Sequence, residues 1–341
     1  MFAQHLALAV DMYGCPNRCK HCWLGHMPNR TMEEKADIWL VNYFKNHFQT
    51  VVFYSWLREP DFCDSYSRRW ARDNEISVGA KPKRFELASF WRLVRDPDYV
   101  KFLKETDVKR VQLTLFGLER LTDQYTGRKG AFREVLSATE ILLEHQIAPR
   151  WQVFLTEENR EEAAGLLKLS KTLGLERRCQ SFGEEFKFFV HEGSCDGENR
   201  KLYPVRIEKS HIPEELVAYY WQYDQLLTEA ECCEKLQGST EHEIPHNTDQ
   251  IVLNISNTFD AYFNFTHMTS AWRIGNLKSS PQEEMIRRIV EEDIPALELA
   301  RQITLGELVK CYGDAMSGKA FTLGDYRAYL LNRYLEDRLK G

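Results

Sequence analysis

The sequence predicts an α/β fold built around a parallel β-sheet. Two observations indicate this class. Predicted strands and helices alternate over residues 6–190, as they do in right-handed βαβ units. The first predicted strand, Leu6–Met12, is a short run that is apolar except for Asp11, which is typical of a strand buried on both faces. In such folds the functional residues follow the carboxyl ends of the strands.

The predicted elements follow one another in a regular order. The strands are Leu6–Met12, Thr50–Tyr54, Arg84–Ala88, Arg110–Leu115, Pro149–Leu155 and Phe186–Val190. The helices are one opened by a capping box at Thr31–Glu34 and running through Phe44, one near Pro97–Glu105, Ala131–His145, and Asn159–Leu173 ended by Gly174.

The pattern changes after the sixth predicted strand. Residues 194–215 are polar and loop-like, whereas Glu214–Leu236 is predicted to be helical. Residues Ile251–Phe265 predict a β-hairpin with a turn around Asn257, and two or three helices end the sequence. We therefore predict two domains, residues 1–205 and 206–341.

Composition and charge limit the class of protein. The chain has 341 residues, 43% hydrophobic and 28% charged, which suits one large or two ordinary globular domains. A net charge of −6 disfavours a broad electrostatic contact with nucleic acid. No apolar run approaches the length of a membrane span, and the N-terminus has no basic signal region. Nine cysteines without a signal fit a reducing cytoplasm.

Three cysteines lie in the loop after the first strand. Cys15, Cys19 and Cys22 have the spacing C-x3-C-x2-C, and Gly14 and Pro16 favour a sharp loop. Three thiolates could bind three irons of a [4Fe–4S] cluster and leave the fourth iron open for a ligand. A zinc site and a disulfide framework are the alternatives. No other cysteine or histidine is as close as His21 to complete a zinc set, and the chain is too large for a small disulfide scaffold.

This loop resembles that of the radical S-adenosylmethionine (SAM) superfamily, in which the residue before the third cysteine is usually aromatic or an imidazole. His21 stands at that position and is a candidate cofactor-binding residue. The resemblance implies a partial (β/α)6 barrel with a lateral opening. It also implies a [4Fe–4S] cluster whose open iron is chelated by the amino and carboxylate groups of SAM.

The segment after the second strand adds to the resemblance. Glu59-Pro60 matches the end of the Gly-Gly-Glu-Pro motif of these enzymes, whereas Leu57 and Arg58 replace its glycines. The resemblance implies that Glu59 receives the SAM ammonium, a task suited to a charge-assisted hydrogen bond. The alternative is a glutamate in a surface loop.

The fourth-strand region, Leu113–Glu119, resembles that of radical SAM enzymes that modify peptides. Thr114 stands where those enzymes have a serine that hydrogen-bonds the SAM ribose or carboxylate. Thr114 is also an ordinary strand-forming residue. Gly117 would let the backbone approach the adenosyl group closely.

Arg150 and Gln152 in the fifth strand are candidates for the SAM carboxylate and ribose. Strand alternation places them on one face, opposite Trp151 and Val153. If that face is not the barrel lumen, Arg150 is only a solvated charge.

The C-terminal region resembles a smaller α+β SPASM or twitch extension. The resemblance rests on the hairpin at Thr258–Phe263 and the segment Trp272–Leu277. The auxiliary-cluster cysteines are missing, because Asn264-Phe265 stands where that family places one. Adjacent Cys232 and Cys233 are poor joint ligands. We expect a cluster-free lid and substrate wall, and a single [4Fe–4S] cluster per chain.

Two further groups are candidates for chemistry. Cys63 follows Glu59 closely and could donate a hydrogen atom to a substrate radical, although a buried apolar role is commoner for cysteine. His242, His246 and His267 share an irregular stretch in which a metal site is possible and a solvated loop is the alternative.

We therefore predict a radical SAM enzyme that receives an electron from a flavodoxin or ferredoxin and cleaves SAM to a 5′-deoxyadenosyl radical. The radical is expected to abstract hydrogen from a peptide or protein. A small metabolite such as a sugar or nucleoside, and a non-catalytic SAM-binding scaffold or sensor, are the alternatives. No peptide-binding winged-helix domain precedes the cysteines, which disfavours the peptide.

Overall fold

A computed structural model describes residues 5–22, 24–25, 27–84, 86–195, 197–243, 250–264 and 270–339. Its strands are β1 His5–Val10, β2 Thr50–Tyr54, β3 Arg110–Leu115, β4 Ala148–Phe154, β5 Lys187–His191, β6 Leu227–Thr228, β7 Gln250–Ile255, β8 Asp260–Phe263, β9 Arg273–Asn276 and β10 Ala320–Phe321. Its helices are α1 Ala36–Phe44, α2 Tyr66–Ile76, α3 Phe90–Leu93, α4 Tyr99–Glu105, α5 Glu119–Thr126, α6 Ala131–Glu144, α7 Arg160–Thr172, α8 Leu175–Gln180, α9 Glu214–Val217, α10 Glu229–Leu236, α11 Gln282–Val290, α12 Pro295–Gln302, α13 Leu305–Tyr312 and α14 Leu323–Leu339.

The main strands form two sheets. One has the order β2–β1–β7–β8–β9, with β1 parallel to both β2 and β7, and β7, β8 and β9 antiparallel. The other is the parallel sheet β3–β4–β5. Strands β6 and β10 pair separately. The α/β prediction is confirmed, and the arrangement is consistent with a partial (β/α)6 barrel plus a C-terminal region.

The predicted third strand, Arg84–Ala88, is wrong for its described residues. Residues 84 and 86–88 are irregular, and Phe85 lies outside the described part of the chain. The Gln112 N–H still donates to the Glu86 carbonyl at 2.8 Å. Arg84 is held by an ion pair with Asp61, and Ser89 caps α3. The segment between these two residues is therefore too short to form a strand ladder with β3. The parallel strands therefore separate into two sheets.

Two helix predictions are also corrected. Helix α1 begins at Ala36 with no side-chain cap, because the preceding stretch is tied to the end of β1 by the Met32 N–H and the Met12 carbonyl. The predicted helix Glu214–Leu236 is divided into α9, a 3-10 turn, β6 and α10, and Thr228 forms the capping box of α10. Local helix propensity loses here to the pairing of β6 with β10.

Other elements match within a few residues. The strands at Thr50–Tyr54 and Arg110–Leu115 are as predicted, and Gly174 follows α7 in the left-handed conformation. The hairpin is confirmed as β7 and β8. Four helices, α11 to α14, rather than two or three, follow it in the described residues.

Strand β7 joins the C-terminal region to the beginning of the chain. Leu6 is in register with Ile251, and Val10 with Ile255. All four side chains are buried in one core cluster that also contains residues of α1 and α14. The predicted boundary at residue 205 thus divides a single sheet, and the two-domain division stays a prediction.

No helix in the described ranges combines the length and apolarity needed to cross a bilayer.

Candidate functional site

The cysteine loop follows the carboxyl end of β1 and is held against the end of α5. The Arg18 N–H donates to the Thr126 carbonyl at 2.9 Å, and the Lys20 N–H donates to the Tyr125 carbonyl at 2.8 Å. A turn within the loop is closed by the Cys22 N–H and the Cys19 carbonyl, at 3.1 Å. These bonds fix the backbone that carries the three thiols.

Asn29 clamps the beginning of this loop. Its side-chain oxygen accepts from the Cys15 N–H at 3.0 Å, and its NH2 donates to the Cys15 carbonyl at 2.9 Å. Gly14 has a φ of +93°, and a Cβ there would overlap the Asn29 amide. Glycine at this position is therefore required by the clamp as well as by the turn.

The three thiols lie in the same partly buried region. Burial raises the pKa of Cys19 to about 12, and the neighbouring Cys22 adds to the shift. Within the ranges described above, which leave out His26, no three Cys, His, Asp or Glu side chains are arranged around a single metal ion. Ligands of a [4Fe–4S] cluster bind different irons and need not converge on one point. Three free thiols on one loop fit such a cluster.

Glu59 lies beside the cysteine loop, as the motif predicts. Its Oε2 is 3.9 Å from the Cys15 Sγ, and its Oε1 is buried without a hydrogen-bond partner in the described structure. Burial raises the pKa of Glu59 to about 7, with Asp61 adding to the shift. A buried carboxylate oxygen without a partner is costly, and a cationic ligand would satisfy it.

Arg58 occupies the place of the second motif glycine. Its Nε and Nη2 donate to the two carboxylate oxygens of Asp11 at 2.9 and 2.8 Å, and its Nη1 donates to the Met27 carbonyl at 2.8 Å. The side chain of Asn257, in the β7–β8 turn, also donates to Asp11 at 3.1 Å. The sequence pattern did not predict this group, although Asp11 is a charged residue at the end of an otherwise apolar strand.

His21 connects the cysteine loop to the ends of β3 and β4. Its ring lies between Phe116 and Phe154, with centroid separations of 4.5 and 4.4 Å. Burial lowers the pKa of His21 to about 3, and nearby His191 adds to the shift. The imidazole is thus neutral, and its buried Nδ1 has no partner among the described residues.

One face of the β3–β4–β5 sheet carries polar side chains. Thr114 and Gln152 are in register, and Gln152 contacts His191 at 2.5 Å between their Nε2 atoms. On the other face the Trp151 indole donates to Thr139 of α6. Gln152 and Arg150 therefore lie on the face turned away from that helix. His191 was missed because the predicted strand ended one residue too early.

The described partners of Arg150 do not include the cysteine loop. It forms an ion pair with Glu86 at 2.5 Å and a hydrogen bond with Gln112. It precedes Phe154 by four residues, about 13 Å along a strand. Its role toward SAM stays a prediction, and the described structure gives it a carboxylate partner already.

Gly117 meets a protein side chain. Its φ is +140°, and a Cβ there would lie 2.7 Å from the Glu162 Oε2 of α7. That same oxygen accepts from the Leu118 N–H at 2.8 Å. The contact with Glu162 explains the glycine, and an adenosyl contact stays a prediction.

Cys63 borders a very small cavity. The cavity has about 10 Å³, is shared with Tyr13 and Glu59, and suits a single water rather than a substrate. Of the other cysteines, Cys311 is exposed and the following are buried: Cys179, Cys195, Cys232 and Cys233. Cys233 contacts the Tyr326 hydroxyl at 3.0 Å. The radical-donor role of Cys63 stays a prediction.

The C-terminal candidates lie partly inside and partly outside the described residues. In the segment Trp272–Leu277, the Asn276 amide donates to the Thr258 carbonyl at 2.8 Å, so β9 packs on the hairpin. His242 Nδ1 lies 2.9 Å from the Ile303 carbonyl oxygen. His246, His267 and Phe265 lie outside the described residues.

Comparison with known proteins identifies the domain that carries this geometry. The family model of the radical SAM superfamily matches residues 10–169, which include the three cysteines and Glu59. Residues 10–169 carry a radical SAM domain. The match supports an enzyme, leaves its reaction class open, and implies SAM and a [4Fe–4S] cluster as cofactors.

Solved structures are similar to this chain over most of its length. Native anSMEcpe with bound AdoMet matches with a TM-score of 0.52 and 15% identity over 98% of both chains. The form of anSMEcpe with AdoMet and Cp18Cys peptide gives 0.50 and 14%, again over 98% of both. Streptococcus suis SuiB bound to precursor peptide SuiA gives 0.49 and 12% over 94% of this chain and 75% of SuiB. None of the curated proteins matches the sequence.

Proposed function

We propose that this radical SAM enzyme cleaves SAM reductively and removes a hydrogen atom from a peptide or protein substrate. When bound and reduced, the cluster supplies the electron that splits SAM into methionine and a 5′-deoxyadenosyl radical. The protein's own residues would bind and orient the reactants and exclude water.

The observation that carries the proposal is the position of Glu59 beside the cysteine loop. A buried, unpartnered carboxylate oxygen lies on a residue whose other oxygen is 3.9 Å from the Cys15 thiol. This pairing suits a ligand that binds at the metal and also donates a hydrogen bond to a carboxylate. The amino group of SAM would have that character, because it could bind the open iron and still donate its N–H bonds to Glu59.

The chain's residues have separate tasks in this proposal. Cys15, Cys19 and Cys22 would hold the cluster through their thiolates. Glu59 would accept a hydrogen bond from SAM, whereas Thr114 and Gln152 would offer a hydroxyl and an amide from the polar sheet face. His21, Gly117 and Arg150 would contact SAM, and Cys63 would donate a hydrogen atom to the substrate radical.

A peptide substrate is favoured by the shape of the fold. anSMEcpe is described with AdoMet and a bound peptide, and its fold extends over 98% of this chain, including the C-terminal region. In this chain β7 pairs with β1, and Asn257 from the β7–β8 turn bonds Asp11 near the cysteine loop. We infer that residues 206–341 form a substrate wall and lid without an auxiliary cluster.

The electron is proposed to come from a flavodoxin or ferredoxin. A cavity of about 390 Å³ is lined by Cys19 and Cys22 and by charged residues, namely Arg18, Lys20, Lys201, Glu158 and Glu198. Their net charge of +1 beside the thiols suits a donor protein with a negative surface. All nine cysteines are free thiols, which supports a reducing cytoplasm as the working compartment.

The test is anaerobic turnover of the reconstituted protein with SAM and dithionite. We expect methionine and 5′-deoxyadenosine, and we expect their formation to accelerate with a peptide that becomes modified. Acceleration by a sugar or nucleoside instead would select a small-metabolite substrate. SAM binding without any 5′-deoxyadenosine would select the scaffold or sensor. The triple variant Cys15→Ala/Cys19→Ala/Cys22→Ala is the control and should form neither product.

A further inference from the structure

Strand β5 is the last strand of its sheet and has an outer edge that is only partly covered. The Val190 N–H donates to the Tyr219 carbonyl at 2.9 Å, and the Trp221 N–H donates to the Val190 carbonyl at 2.7 Å. Residues two apart in a strand direct their backbone groups to the same side. Phe188 therefore faces the same edge, and no backbone hydrogen bond on that side is found for it in the described structure.

A large groove runs along this open edge. It has a volume of about 1050 Å³ and is walled by aromatic side chains, namely Phe186, Phe188, Phe189, Tyr219 and Trp221. Trp221 is 61% exposed, a large apolar surface beside unpaired backbone groups. We call this groove the edge groove. Its shape and chemistry suit an extended chain, whose backbone pairs with the edge while its side chains meet aromatic rings.

The edge groove is positively charged on a negatively charged protein. Four cations line it, Arg150, Lys171, Arg177 and Lys187, against two carboxylates, Glu176 and Glu185. Arg150 is paired with Glu86, which lies outside the lining, so the net charge is +1. The whole chain has a net charge of −6. The groove therefore favours an acidic partner by charge complementarity.

The edge groove also reaches the proposed active face. His191 lines the groove and contacts both Gln152, at 2.5 Å, and the Phe154 ring, at a centroid separation of 4.3 Å. Phe154 in turn packs on His21 of the cysteine loop. The groove thus adjoins the residues that pack on the cysteine loop.

We propose that the edge groove binds an acidic, extended segment of the peptide substrate, which adds a strand to β5 beside Phe186 and Phe188. This inference rests on the proposed function in naming the peptide as substrate, but binding itself requires neither the cluster nor SAM. The open edge supplies affinity through the backbone, and the cations select an acidic sequence.

The test measures binding to the full-length protein by fluorescence anisotropy. The probe is a short fluorescein-labelled peptide of alternating Glu and Val, and its partner is the same peptide with Lys in place of Glu. We expect the acidic peptide to bind and the basic one to bind much more weakly. The Cys15→Ala/Cys19→Ala/Cys22→Ala variant should bind the acidic peptide as the wild type does, which separates this inference from the radical chemistry.

Charge reversal locates the site. Lys171→Glu/Lys187→Glu should raise the dissociation constant for the acidic peptide roughly tenfold or more. Lys168→Glu is the matched control, because this exposed lysine lies on the same helix, α7, but does not line the groove. Trp221→Ala should also weaken binding, since its exposed ring is lost from the wall.

Hydrogen exchange provides the structural readout. The acidic peptide should slow amide exchange in residues 184–190 in the wild type. Equal binding of the acidic and basic peptides would overturn the proposal. So would a Lys168→Glu variant that loses as much peptide affinity as Lys171→Glu/Lys187→Glu. A third contrary outcome is a wild-type dimer that Lys171→Glu/Lys187→Glu converts to a monomer while peptide affinity is unchanged, because the edge would then pair with a second copy of the chain.

Discussion

Arg58 and Asp11 form a two-bond ion pair that joins the loop after β2 to the end of β1. The distances are 2.9 and 2.8 Å, and the side chains are only 6% and 1% exposed. Arg58 stands where the related motif has glycine, so the departure from that motif has a structural role. The ion pair fixes the Glu59 loop against the end of β1, which leads into the cysteine loop.

The first prediction concerns this ion pair. Arg58→Ala leaves the Asp11 carboxylate buried with only the Asn257 amide as a described side-chain partner, and should lower the free energy of unfolding by about 3–5 kcal/mol. Chemical denaturation measures the loss. Asp11→Asn/Arg58→Ala removes both charges and should recover much of the stability. If the double variant is as unstable as the sum of the single variants, the pairing is not responsible.

The second prediction concerns cluster number. Anaerobic reconstitution should give about four irons per chain, because the sequence offers one set of three loop thiolates. Each of Cys15→Ala, Cys19→Ala and Cys22→Ala should abolish cluster absorbance while the circular dichroism spectrum is retained. Cys232→Ala is the matched control and should keep its iron. Iron near eight per chain, or absorbance persisting in the triple alanine variant, would contradict a single cluster.

The third prediction concerns SAM affinity. Glu59→Gln keeps the size of the side chain but loses its charge, and it should raise the SAM dissociation constant roughly tenfold or more, since a charge-assisted hydrogen bond contributes ~1.5–3 kcal/mol. Thr114→Ala should weaken binding less. Calorimetry on reconstituted protein measures both, and iron content checks that the cluster is intact. Unchanged affinity in both variants would remove these residues from the site.

The fourth prediction concerns Gly117. Gly117→Ala would force a side chain into the left-handed region and against the Glu162 carboxylate, at a cost of about 1–3 kcal/mol in unfolding free energy. Gly165→Ala is the control, because Gly165 lies in α7 and a Cβ there makes only ordinary contacts, 3.7 Å or more, with Leu118. It should be neutral or stabilising. Equal losses in the two variants would show that the Glu162 contact is unimportant.

The sequence by itself determined the local chemistry of this protein. Thiol spacing, the Glu59-Pro60 dipeptide, the apolar run of β1 and the alternation of β3 are patterns within a few residues, where side-chain period and turn chemistry are decisive. These patterns identified the cysteine loop, the α/β class and the helices α1, α4, α6 and α7, but not α2, α3, α5 and α8. Alternation along β4 also correctly put Arg150 and Gln152 on one face, opposite Trp151.

Only the tertiary structure decided which distant segments meet. The pairing of β7 with β1, the absence of a ladder at residues 86–88 and the contact of Asn257 with Asp11 join residues far apart in the chain. Local propensity does not encode such partners, because strand pairing depends on which edges remain free after the rest of the chain packs. The same packing left the outer edge of β5 partly uncovered and brought His191 into contact with Gln152.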